Sequence, residues 1–482
     1  MGIDHVTLAE LRSRYGAREA RLAEAAIDVI AGAEGLEAVT AHRLQEFLWR
    51  TLPGWRIDDP ERVAAALGHL FTLTGLDRYA ELATCARTRT ILSVYAGQGA
   101  DAGREACEAA ITESGLVPPD TPLLAWRVFT GPEEHAARHA CAATLELAVA
   151  AGELRPGRRG WERVRADVTE RCLTAPRRGG PWLGRVHAER LDAWTRPVNP
   201  RKATLLRAVA DLLREPVPPA PDAFGPLRWL LDAARDGLPL TERHHIAPTL
   251  VTEAVNLFGW RPETSPSSAR ESLVQPLRDL RELAAREMKA IRRTGRTLVL
   301  TPLGRSMLAD EQVFWDVAVR SVVGTGSVLG LATREIMLAL LIVHDPGPVE
   351  RLERRTVDVL SQEWDTPAAE APPAEPTAPG RHSARSGSPD RPGAPERRGS
   401  AAEDVRPDDG FPPAGDGVTP GGLAAAVAEQ RIALRRRLRA LDCHRPERRP
   451  GAPFALTLHG ETAVLAALRA HALRPHPPAR RS

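Results

Sequence analysis

The sequence predicts a mainly α protein, in which a helical N-terminal region precedes two smaller units that each carry a short β-hairpin. Three observations lead there. Apolar residues recur at helical spacing through the first 221 residues. Glycine and proline punctuate those stretches where helices would end. In the second half, a helix, a β-prone run and the pattern Leu-Thr-x-x-Gly occur together twice. The chain has 482 residues, and at roughly 150 residues per domain about three domains are expected. Apolar residues make up 43% and charged residues 26%, enough to fold and stay in solution. The 65 basic and 62 acidic side chains nearly cancel, which excludes a uniformly basic nucleic-acid-coating protein but not a local basic patch.

In the N-terminal region, taken as 1–215, Leu22, Ala25, Ala26, Val29 and Ile30 form one apolar stripe that Gly32 ends. Glu61 to Phe71 repeats the pattern behind Pro60, which suits a first helical turn. A third helix is expected in TGPEEHAARHACAATLELAVAAGEL. There Thr130 and Glu133 have capping-box spacing and Gly152 suits the left-handed position past the end. These helices are expected to bind a protein partner or to dimerise. The run REPVPPAPD, 214–222, holds four prolines in nine residues and marks a boundary. From 367 to 418, 52 residues contain 11 Pro and 7 Gly, no Leu or Ile and a single aromatic, Phe411. Such a segment cannot bury enough apolar surface to offset its ordering entropy, so a disordered insertion is expected there.

The most informative passage is DLRELAAREMKAIRRTGRTLVLTPLGRSMLAD. A helix from Ala269 to Met288 is expected, its buried stripe being Leu273, Leu277, Leu280, Ala284 and Met288, with Pro276 giving a kink or a boundary. A basic turn through Thr294-Gly295 follows, then a β-prone run to Leu300, with Thr301 and Pro302 fit to cap the next helix. Upstream lie GLPLT, 237–241, and the helical LVTEAVNLFGW. The order of strand, helix, recognition-type helix and hairpin within 222–310 resembles a winged helix of the MarR-type repressors. That resemblance implies a helix in the DNA major groove and a hairpin wing against phosphate. Carried onto this chain, it makes Arg292, Arg293 and Arg296 wing contacts and Arg270, Gln275 and Arg278 helix contacts to double-stranded DNA. Glu271, Asp279 and Glu282 are expected to be exposed on the same helix, where acids repel phosphate.

The passage RRRLRALDCHRPERRPGAPFALTLHGETAVLAAL repeats the plan. Trp260 to Thr301 spans 41 residues and Trp364 to Thr457 spans 93, a difference of 52 that equals the Pro/Gly-rich segment. A second winged-helix unit, 311–366 with 419–475, is therefore expected, split by the insertion and followed by a basic tail at 476–482. From Gly421 onward 12 arginines meet 4 acids, and Arg431, Arg435 and Arg439 share one helical face able to grip phosphates. Ile432, Leu434, Leu438 and Leu441 supply that helix's apolar contacts. The whole plan is similar to that of large actinobacterial proteins with LT-x-x-GR units, a resemblance that implies no activity.

Other chemistry is set aside. The only lysines, Lys202 and Lys289, sit in no Walker loop. Five scattered cysteines without a C-x-x-C pair read as reduced thiols. The longest strongly apolar run, Ile336 to Val343, is short of a bilayer span, and a cytoplasmic protein without membrane contact is expected. His135 and His139, four apart beside Glu134 and Cys141, lack a distant ligand motif and read as an exposed or capped pair, so no metal is expected. Gly324-Thr-Gly326 reads as an interhelical turn, and no cofactor is expected. The function expected is that of a non-enzymatic cytoplasmic regulator or assembly factor. The alternatives are an interaction scaffold whose winged helices do not bind DNA, and an enzyme with a site in the N-terminal helices.

Overall fold

A computed structural model describes residues 3–55, 59–128, 130–220, 222–260, 270–364, 420–445 and 453–475. The chain is mainly α, with one three-stranded antiparallel sheet among the described residues. It divides into two units, Met1–Arg196 with Arg469–Ser482, and Pro197–Leu468. The division precedes the prolines of 214–222. The helix Pro200–Ala210 thus belongs to the second unit, where Asn199 Nδ2 donates to Val359 O and Arg201 pairs with Asp358. The insertion 367–418, the loop 261–268 and the tail 476–482 lie outside the described residues.

The helices of the first unit bury their apolar sides in separate clusters, one drawn from residues between Ile3 and Ile111 and two smaller ones on either end of Pro132–Ala150. Pro60–Leu73 starts where expected, with Pro60 in its first turn and the Asp59 side chain accepting Arg62 N–H, and it buries Val63, Leu67, Leu70 and Phe71. Ala17–Ala31 also ends at Gly32, but its buried face is Ala20, Ala23, Ala26, Ile27 and Ile30, while Ala25 and Val29 stay exposed. Alanines on both sides of this helix allowed two stripes, and the narrower one packs against Pro60–Leu73.

Pro132–Ala150 departs from expectation at its start. No side-chain cap forms; Gly131 is the N-cap, and the Glu189 carboxylate accepts Glu133 N–H at 2.9 Å and Glu134 N–H at 3.0 Å. A carboxylate at this end also meets the positive pole of the helix, so a distant acid replaces the Thr130 and Glu133 box. Beside it, Glu134 and Arg190 form a fully buried bidentate pair at 2.6 and 3.0 Å. Arg190 also donates to Ala125 O through Nη2 and, at 2.5 Å, to Leu473 O through Nη1. Arg127 donates to Ala472 O and Arg474 O, so the segment after the last helix is held by two arginines.

In the second unit, β1 (Leu238–Pro239), β2 (Ile291–Thr294) and β3 (Thr297–Leu300) form a sheet of order β1-β3-β2. Thr294 pairs with Thr297, leaving a two-residue turn in which Gly295 has φ +60, as a hairpin turn with glycine first requires. The expected helix Ala269–Met288 is shorter: it begins at Gln275, with Pro276 in its first turn, and passes into a π-turn over Leu283–Glu287. Pro276 thus acts as a boundary, since its missing N–H costs nothing there. The stripe holds, with Leu277, Leu280, Ala284 and Met288 buried and Leu273 half-buried.

Two corners of this unit share one construction. Thr301 Oγ1 accepts Gly304 N–H at 3.1 Å and donates to Lys289 O at 2.7 Å, while Thr301 N–H goes to Ala290 O. Thr457 Oγ1 accepts Gly460 N–H at 2.9 Å and donates to Asp442 O at 3.1 Å, while Thr457 N–H goes to Cys443 O. Lys289 and Asp442 both turn through the left-handed region, at φ 53 and 59. A Cβ on Gly304 would collide with Ala290 O, and one on Gly460 with Cys443 O. Ladder pairs match too: Ile291 faces Leu300 and Leu238 faces Leu298, as His444 faces Leu456 and Gly347 faces Phe454.

Among the described residues no single helix is long and apolar enough to cross a membrane; Glu311–Val323 and Val328–Val343 reach that length only together, bent by 107°. The turn between them is the interhelical one expected at Gly324-Thr-Gly326.

Candidate functional site

The hairpin β2–β3 keeps its arginines outside. Arg292, Arg293 and Arg296 are exposed, and none makes a side-chain hydrogen bond or ion pair among the described residues. Because β2 is an edge strand, its side chains have no neighbouring strand on one side.

The helix before it is partly committed. Arg270 and Arg278 are exposed, whereas Gln275 is half-buried and its Nε2 donates to Asp279 Oδ1 at 2.7 Å. Two of the three acids differ from their expected exposure. Glu271 is buried, accepting Ile246 N–H at 2.6 Å and Arg281 at 2.9 and 3.0 Å. Asp279 is half-buried, and burial pushes its carboxyl above the usual range. Glu282 is exposed and pairs with Arg286 one turn on. Two of the acids are thus withdrawn from solvent by local pairing.

The C-terminal basic helix, Pro420–Ala440, corrects an expectation. Arg431, Arg435 and Arg439 do not form an open face: Arg431 Nε donates to Glu353 at 2.6 Å, Arg435 is half-buried, and Arg439 alone of the three is exposed. Arg437 makes a bidentate pair with Glu287 at 2.5 and 2.6 Å and donates to Ser321 O. The cause is packing. This helix lies against Gln275–Glu282, Val328–Val343 and Val349–Trp364, so its arginines meet acids of its neighbours.

A second constellation lies in the first unit. Helix Ala41–Glu46 carries His42 and Glu46, and helix Pro132–Ala150 carries His135 and His139. Each pair is spaced i, i+4, which sets both side chains on one face. The buried Glu146, two turns beyond His139, accepts Ala41 N–H at 2.8 Å and so docks the shorter helix onto the longer. Arg78 neutralises that carboxylate at 3.4 Å. Ligand atoms of His42, Glu46 and His139 all lie within 4.8 Å of one another, and His135 Nε2 is 3.0 Å from His139 Nε2. Burial, with nearby Arg138 and Arg50, holds His42 down at about 4, and burial brings His139 to about 4 as well. The cluster opens on a pocket of about 360 Å³ that Asp28, Glu34 and Arg43 also line. The sequence sets His135 and His139 beside Glu134 and Cys141 and reads the two histidines as exposed or capped; only His135 is exposed, Glu134 is taken by Arg190, and the spacing of His42 and Glu46 was the signal for the other partners.

Comparison with protein-family models, with characterised proteins and with solved structures finds no match to this chain.

Proposed function

We propose that this chain is a non-enzymatic regulator or assembly factor whose segment 222–310 acts as a winged helix on double-stranded DNA. The observation that carries the reading is the set of three unpartnered arginines, Arg292, Arg293 and Arg296, on an exposed edge hairpin. Support comes also from the order of helix Gly225–Ala233, β1, helix Pro248–Phe258, helix Gln275–Glu282 and hairpin, which is that of the winged-helix plan. Arg270 and Arg278 are free to add contacts beside it, and Arg439 offers one from the C-terminal helix. Such contacts position a protein on phosphate and carry little sequence information. The N-terminal helices are left for a protein partner or a second copy.

The test is fluorescence anisotropy of a labelled duplex across a salt series. Affinity should fall as salt rises, and Arg292→Ala with Arg293→Ala should reduce the log–log slope by about two. Arg431→Ala should leave the slope unchanged, because that side chain is held by Glu353. Absence of wild-type binding at low salt would sink the reading.

The alternative is a protein-interaction scaffold. It is favoured by one observation: helix Gln275–Glu282, the groove reader in the first reading, packs on Pro420–Ala440 beside the Arg437–Glu287 pair. Both readings use the same fold, and the salt series separates them.

A further inference from the structure

We propose that His42, Glu46 and His139, with His135 at the rim, form a binding site for one divalent transition-metal ion of the zinc class. Three borderline imidazole nitrogens with one harder carboxylate oxygen are a donor set that such ions take. The geometry is close to that of a four-coordinate site. With metal–ligand bonds of about 2.0–2.1 Å, tetrahedral ligand atoms stand roughly 3.4 Å apart. Here the three inner ligand atoms already fall within 4.8 Å of one another, and the two histidine Nε2 atoms of the longer helix within 3.0 Å. Small rotamer shifts on two facing helices close the remainder.

The burial of His42 is the second, independent observation. Its side chain is 1% exposed, and neither ring nitrogen has a hydrogen-bond partner among the described residues. Its Nε2 instead stands 3.5 Å from Glu46 Oε1, beyond a good hydrogen bond and open to a shared ion. His139 Nδ1 is also buried without a partner. A hydrogen-bonded His135–His139 pair by itself would account for their mutual contact, but it leaves both nitrogens of His42 unexplained. Buried polar groups are rarely orphaned, and an ion that takes one of these nitrogens removes part of the deficit.

Charge is compatible as well. Asp28, Glu34 and Glu46 line the pocket; of the arginines near the cluster, Arg43 is engaged by Glu34 at 3.5 Å and by Ala38 O at 3.2 Å, Arg50 pairs with Glu108 at 3.9 Å, and Arg138 stands near His42. Since the cluster faces this pocket of about 360 Å³, a bound ion would keep a side open to water or a small ligand. With the three inner ligands and water in the fourth position the site is an open one; with His135 as fourth ligand it is closed.

The experiment uses the full chain, free of any histidine tag, stripped with EDTA and titrated with Co²⁺ and then with Zn²⁺ alone. One equivalent of Co²⁺ should bind with visible absorption, be displaced by Zn²⁺ and raise the melting temperature. His42→Ala and His139→Ala should abolish binding. As those buried variants can fail to fold, Glu46→Gln and His135→Ala, checked by circular dichroism, carry the decision. Each should weaken Co²⁺ by about tenfold or more, while a His244→Ala, His245→Ala control should change nothing. Absence of stoichiometric Co²⁺ in the wild type, or full affinity in both Glu46→Gln and His135→Ala, would overturn the proposal.

Discussion

The corners at Thr301–Gly304 and Thr457–Gly460 are alike in the backbone and differ at the tip. Both close a helix through a left-handed residue, cap the next helix with threonine and admit a carbonyl against a glycine. Beyond the first corner stand two four-residue strands with three exposed arginines; beyond the second, the described ladder shrinks to isolated pairs at His444–Leu456 and Gly347–Phe454. Two basic side chains of the second half turn inward instead, Arg431 to Glu353 and Arg437 to Glu287, while Arg436 and Arg439 stay exposed. The same frame therefore carries charge outward in one half and spends it on packing in the other.

The largest break in this comparison should come from the glycines. In a free helix Gly→Ala stabilises by about 1 kcal/mol. Here the added methyl meets a carbonyl, so Gly304→Ala and Gly460→Ala should each cost about 3 kcal/mol by urea unfolding. A gain in either corner would show that the two are not built alike. Next, Arg437→Ala should cost about 2 kcal/mol, less than a fully buried pair because both partners keep some solvent. Glu287→Gln in the same background should then add little, which a double-mutant cycle reads directly. The smallest effect is expected at the caps: Thr301→Ala and Thr457→Ala should each lose about 1 kcal/mol. Unequal losses would show which corner leans more on its neighbours.

The corners were legible in the sequence because backbone demands dictate residue type. A helix start wants threonine, and a carbonyl approach excludes everything larger than glycine. The hairpin was legible for a related reason, since Thr294-Gly295 marks a turn ahead of the β-prone run Leu298–Leu300. What was missed depends on tertiary contact. The stripe of Ala17–Ala31 turned because alanine fits either side, and Thr130 lost its cap role to Glu189, far along the chain. The acids of the expected helix Ala269–Met288 were taken as exposed, yet Glu271 is buried by Arg281 and the Ile246 N–H. Likewise, nothing in the spelling of either histidine pair says that Glu146 will dock one helix beside the other.

The Arg190 clamp imposes an order on synthesis. Arg190 and the Leu473 carbonyl it holds are 283 residues apart. At about 5–20 residues per second, a ribosome takes roughly 15–60 s to cover that interval. A first unit that folded within it would hold the Glu134–Arg190 pair without the Leu473 acceptor, leaving one Arg190 N–H to water. The first unit is thus begun early and finished late, and everything from Pro197 to Leu468 must be made in between.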